Sequence, residues 1–171
     1  MHKSIRLFLI ILSTAGVLNA CSSNAYKVTL NNNVLYDPYP VTDSGLLNDA
    51  NLQGCLNQVL ITTGNSDPTQ ITSLACPSAG VENLQGIAAL SNLEQIDLSD
   101  NTISDLGPLI NLKKLRVASL RNNRIRYIDI LNAMPALRFI SLQGNTNIAC
   151  KQLDELEHRV GSSLNRPLSC R

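Results

Sequence analysis

Apolar residues recur along the middle of this chain in a fixed frame. Leu93, Ile96, Leu98, Asn101 and Ile103 mark the template L-x-x-L-x-L-x-x-N-x-I, and Leu115, Ala118, Leu120, Asn123 and Ile125 repeat it 22 residues later. Leu137, Ile140, Leu142 and Asn145 follow after a further 22, while Ile71, Leu74, Cys76, Ala79 and Val81 precede the first set by 22. The second half of each unit keeps step, as Leu84, Leu106, Ile128 and then Ile87, Leu109, Leu131. The alternation within L-x-L predicts a short strand with its leucines on one side. The later apolar positions fall three apart, the spacing of a tight 3₁₀-like or irregular return. Each unit has one apolar edge that it cannot bury alone, so the units must stack, with their strands side by side in a parallel sheet. The Asn slot falls at the sharp turn leaving the strand, where an amide can pair backbone groups that burial would otherwise orphan.

Two slots break the template. Ala79 stands where the first unit should have Asn, and Ala118 stands where the third should have a large residue. The second change leaves room that a neighbour such as Ile140 must fill.

The stretch Leu98, Asn101, Ile103, Asp105, Leu106, Pro108, Leu109, Leu112 resembles the 22-residue leucine-rich repeat of bacterial internalin-type proteins. The resemblance covers residues 71–148. It implies an α/β repeat fold: a short solenoid with a parallel sheet on its concave face, 3₁₀ or irregular returns on the convex side, and a cap at each end. Leu46 to Ile61 reads as a helix with Leu47, Leu52, Cys55, Leu56, Val59 and Leu60 on one face. Its LNDANLQGCL segment resembles the N-terminal helical cap of such domains, which gives a cap over 46–70. After the fourth strand the frame slips by one residue. Lys151 to Val160 then reads as a short helix stopped by Gly161, inside a closing cap over 149–171.

The first twenty residues stand apart. His2, Lys3 and Arg6 precede an apolar run from Leu7 to Val17 that is too short for an ordinary membrane span. Leu18-Asn19-Ala20-Cys21 resembles a bacterial lipobox, which implies signal cleavage after residue 20 and lipidation of Cys21. Three acyl chains would anchor the protein firmly, since each buried CH₂ contributes ~0.8 kcal/mol. Ser22 after the Cys resembles the outer-membrane type of sorting signal, so the expected location is an outer-membrane lipid anchor, facing either the periplasm or the surface. An ordinary secretory signal ending near a Cys is the alternative. Residues 21–45 read as a tether, partly ordered, with a small hairpin over Val28–Tyr36.

Four cysteines remain beside Cys21, an even number in a chain expected to leave the cytoplasm. They allow three pairings. Pairing within each cap, Cys55–Cys76 and Cys150–Cys170, would staple both lids to the stack. The rival reading leaves Cys55 and Cys76 as buried thiols.

Little points to catalysis or to a cofactor. His158 is the single histidine after the signal segment, and it sits near the end of a helix, where a partial positive charge is favoured. The carboxylates Asp97 with Asp100, and Asp154 with Glu155 and Glu157, read as solvated faces. No CxxC pair or Gly-rich phosphate loop occurs. The expectation is a non-enzymatic binding module without metal or cofactor. Nucleic acid is disfavoured by location and by a near-zero net charge.

What remains is surface. Equal positions in a parallel stack lie about 4.8 Å apart. One row therefore reads Thr72, Glu94, Arg116, Arg138, and the next Ser73, Gln95, Val117, Phe139. Phe139 beside Val117, with Arg116, Arg121 and Arg138 around it, is the expected anchor for another envelope protein or a surface glycan. Charge is also segregated. Residues 22–111 carry a net −8 and residues 112–171 a net +7. Arg121, Arg124 and Arg126 with Tyr127 read as a basic ridge, suited to an acidic partner, to anionic lipopolysaccharide, or to head-to-tail self-association within an accessory scaffold.

Overall fold

The computed structural model describes residues 28–30, 33–36 and 45–170. The signal segment, the lipobox with Cys21 and the remainder of the tether lie outside these residues. The chain divides into two units, residues 1–38 and 39–171. In the first, strands β1 (Val28–Leu30) and β2 (Asn33–Tyr36) pair antiparallel.

The second unit is a solenoid. It opens with helix α1 (Ala50–Thr63) and continues through strands β3 (Ser73–Ala75), β4 (Gln95–Asp97), β5 (Val117–Ser119), β6 (Phe139–Ser141) and β7 (Leu164–Asn165), which form one parallel sheet in chain order. Register follows the repeat: Leu74 pairs with Ile96, Ile96 with Ala118, and Ala118 with Ile140. These inward residues join Leu98, Leu120, Leu142 and the convex-side leucines and isoleucines in one continuous core. Ala118 and Ile140 are both fully buried neighbours in that column.

The turn leaving each strand is built the same way four times. Ser78, Asp100, Asn122 and Gly144, spaced by 22, all have positive φ, between 51° and 79°. This tight reversal returns the chain toward the convex side. There, 3₁₀ turns at Ile87–Ala89 and Gly107–Asn111 and a single α turn, α2 (Asp129–Asn132), close the three complete units.

Three expectations need correction. Helix α1 begins at Ala50 rather than Leu46, because Asp49 caps it by accepting the N–H groups of Asn51 and Leu52, and it runs to Thr63 rather than Ile61, where Gly64 at φ +65° ends it. Leu47 is buried but precedes the helix. The sheet has a fifth strand, β7, inside the region read only as cap and tail. Leu164 stands 24 residues after Ile140, outside the frame of 22, yet pairs with it. Helix α3 (Cys150–Val160) fills the extra length, and Gly161, at φ +64°, ends it.

Both caps are held by disulfides, Cys55–Cys76 at the N-terminal end and Cys150–Cys170 at the C-terminal end. Arg159 reinforces the second. Its guanidinium donates to the carbonyls of Leu131, Met134 and Leu137 at 2.6–3.3 Å, around the end of α2. Burial and the nearby Arg138 hold the Arg159 pKa below its ordinary value. Arg166 joins Asp154 at 2.7 Å and Glu157 at 2.6 Å and ties α3 to the chain end.

Candidate interaction surface

The repeat projects each outward strand residue onto a row. Ser73, Gln95, Val117 and Phe139 are register partners across β3–β6, the row expected from the period. The aromatic ring stands toward the C-terminal end of the sheet. Phe139 is 36% exposed, the largest outward apolar group on the strands, and Val117 beside it is half-buried. Arg116 and Arg138 are both exposed and lie on the adjoining row. They are not equivalent. Among the described residues the Arg116 side chain has no recorded hydrogen-bond partner, whereas the Arg138 guanidinium donates to the carbonyls of Pro135 at 2.7 Å and Leu137 at 3.2 Å. Arg138 is therefore braced against its own loop, which fixes its charge at the edge of the patch.

Arg121 is exposed but lies past the end of β5, in the turn, where its carbonyl accepts the Asp100 N–H. It borders the patch rather than joining the Val117–Phe139 row. The left-handed Asn122 and the buried Asn123 follow it in the chain. On the flank of the solenoid Arg124 and Arg126 line an open depression of about 470 Å³ with Ser104, Tyr127 and Asn147. Tyr127, at 74% exposure, is more open than Phe139.

Polar residues extend the concave surface on the strand-exit side. The Ser99 hydroxyl bonds the Asp97 carboxylate at 2.6 Å and the Ser119 hydroxyl at 2.7 Å. Ser141 continues the row, buried, with its hydroxyl unpaired. Period 22 fixed the order of this row, but only the fold shows that Ser99 reaches across to Ser119.

His158 is exposed on α3 beside Asp154 and Glu157, and both carboxylates are engaged by Arg166. All four cysteines of the described region are oxidised.

The architecture has clear relatives. A family model described as leucine-rich repeats (2 copies) matches residues 113–158. The structure superposes on an internalin (inlF) from Listeria monocytogenes with a TM-score of 0.62 and 29% identity, over 76% of this chain and 39% of that one. It is also similar to internalin C2 from the same species, with a TM-score of 0.60 and 24% identity, over 77% of this chain and 62% of that one. This is a short leucine-rich-repeat solenoid of internalin-like architecture. By sequence it is similar to acidic leucine-rich nuclear phosphoprotein 32 family member A of Drosophila pseudoobscura pseudoobscura, 27% identical over 116 residues. That match covers 67% of this chain, and the chain spans less than half of that relative, 43% of its length. Leucine-rich repeats generally mediate protein–protein interaction. Their stacked units give an extended concave surface, as found here.

Proposed function

We propose that this leucine-rich-repeat protein is a lipid-anchored, non-enzymatic binding module of the bacterial envelope. In this reading its concave face holds another envelope protein, or a surface glycan, through Val117 and Phe139, bordered by Arg116, Arg121 and Arg138. The carrying observation is the register of β5 with β6. It sets Phe139 beside Val117, with the exposed Arg116 next to them. A rigid aromatic with an adjacent arginine is the composition of an interface anchor. The anchor to the membrane is Cys21, at the end of the lipobox-like LNAC, and Ser22 supports an outer-membrane destination. The two disulfides agree with a chain that folds outside the cytoplasm.

In-cell photo-crosslinking from position 139, read by mass spectrometry, tests the patch. A discrete adduct lost on Arg116→Glu supports it. Equal labelling from position 139 and from the exposed Thr72 would remove it. Intact-mass analysis of the mature N-terminus tests the anchor separately: a triacylated Cys21 is expected, abolished by Cys21→Ser.

A second reading, an accessory lipoprotein that scaffolds an envelope assembly, is favoured by the segregation of net −8 before residue 112 from net +7 after it. Such a dipole orients docking whatever the partner.

A further inference from the structure

Rows of equivalent positions run across the flank as they do across the sheet. Glu82, Ser104 and Arg126 occupy one row, with Ser104 midway, 22 residues from each. All three are exposed. Glu82, Ser104, Asp105 and Arg124 line one depression, and Ser104, Arg124, Arg126 and Tyr127 line the next. The strip thus runs from acid, through a small neutral residue, to base. Among the described residues the Glu82 carboxylate and the Arg126 guanidinium have neither a recorded ion pair nor a side-chain hydrogen bond, and only their backbone groups are engaged.

This order is self-complementary. A two-fold axis lying in the surface over Ser104, perpendicular to the row, reverses the row onto itself. Glu82 of one copy then faces Arg126 of the second, and Arg126 faces Glu82. The neighbouring row Gly80, Thr102, Arg124 reverses in the same way and brings Arg124 next to Glu82 of the second copy. In the row Asn83, Asp105, Tyr127, the exposed Tyr127 ring covers Asn83 of the second copy. The two Asp105 carboxylates meet near the axis, each already accepting its own Gly107 N–H at 2.8 Å. The strip carries two acids and two arginines, so two copies meet without net repulsion.

We propose that this flank is the interface of an antiparallel homodimer. An isologous two-fold contact closes at two copies and uses each charged pair twice. A head-to-tail contact between the acidic and basic halves would leave one end open and grow. Docking through the flank also leaves the Val117–Phe139 face clear, so the dimer presents two concave surfaces.

Sedimentation equilibrium of the full chain in detergent micelles tests this, with Glu82→Arg, Arg126→Glu and the double exchange. Each single change sets like charges opposite each other twice and should weaken dimerisation by at least about tenfold. The double exchange restores opposite charges and should recover most of the loss, since coupled sites are non-additive. Raising the salt should weaken the parent dimer. Ser104 lies on the axis, so Ser104→Cys should crosslink to itself with a short bismaleimide above the parent background, and Thr146→Cys on the last repeat should not. A parent monomer at all concentrations, a double exchange no better than the singles, or equal crosslinking from positions 104 and 146 would each overturn the proposal.

Discussion

The Asp49 carboxylate joins the cap helix to the first repeat through the backbone of Glu82, accepting its N–H at 2.8 Å and that of Asn83 at 3.0 Å on one oxygen. Its other oxygen caps α1 through the N–H groups of Asn51 and Leu52. One side chain thus satisfies donors on both sides of the junction. Burial alone raises its pKa, but the four N–H donors, from Glu82, Leu52, Asn83 and Asn51, outweigh burial and hold it below the ordinary carboxyl value. A depressed folded-state pKa stabilises the fold above the unfolded value, near 3.8, and that contribution is lost as pH falls through the folded value. Asp49→Ala should cost about 1–2 kcal/mol at neutral pH, the range of a strong N-cap. Urea unfolding should show the difference from the parent shrinking as pH falls below about 3.8. A constant difference down to acid pH would mean that the carboxylate charge is not what matters.

The asparagine ladder works backwards along the stack. Asn123 Oδ1 accepts the N–H of Ile103 at 3.0 Å, and its amide donates to the carbonyls of Leu98 and Leu120 at 2.9 and 3.1 Å. Asn101 and Asn145 do the same for Val81 and Ile125. Asn123→Ala would orphan the buried Ile103 N–H, while the Leu98 and Leu120 carbonyls keep the amides of Asn101 and Asn145, and should destabilise by about 1–3 kcal/mol. Asn123→Asp should be at least as damaging, because a carboxylate would face two carbonyl oxygens. Chemical denaturation of the two variants checks both statements.

Arg159 is the side chain whose role composition conceals most. Its guanidinium spans three carbonyls between Leu131 and Leu137. Arg159→Lys should recover little of the loss caused by Arg159→Ala, since an ammonium point charge cannot span that fork. Hydrogen exchange of the amides around 131–137 should quicken similarly in both variants. Normal protection in the Lys variant would show that charge alone suffices.

The disulfides close loops with sequence separations of 21 and 20 residues. Loops of that size correspond to about 3 kcal/mol each in the chain-entropy account. Reduction should therefore lower the unfolding midpoint markedly, and Cys55→Ser with Cys76→Ser should loosen the N-terminal cap before the repeats. Proteolysis that begins elsewhere than in α1 would contradict that order.

The ladder also accounts for the template break at Ala79. Each Asn serves the unit before its own, so a residue in the first unit's slot has helix α1 behind it and no earlier turn to satisfy. Alanine is sufficient there. Conversely, Cys76 fills a leucine slot because it carries the staple to Cys55.

The period of 22 was enough to determine the solenoid, its inward residues, the rows across the sheet and the asparagine turns, since each depends on local alternation and a constant repeat. The pairing of the four cap cysteines was also readable once each cap was recognised as a lid. The tertiary structure alone decided the fifth strand, which enters the sheet out of frame and is too short to leave a pattern. It alone gathered Arg124, Arg126 and Tyr127 with Ser104 around one depression, because these side chains come from two successive units. It alone braced Arg138, seated Arg159 and aligned the flank rows, for these contacts join groups whose meeting depends on how whole units stack.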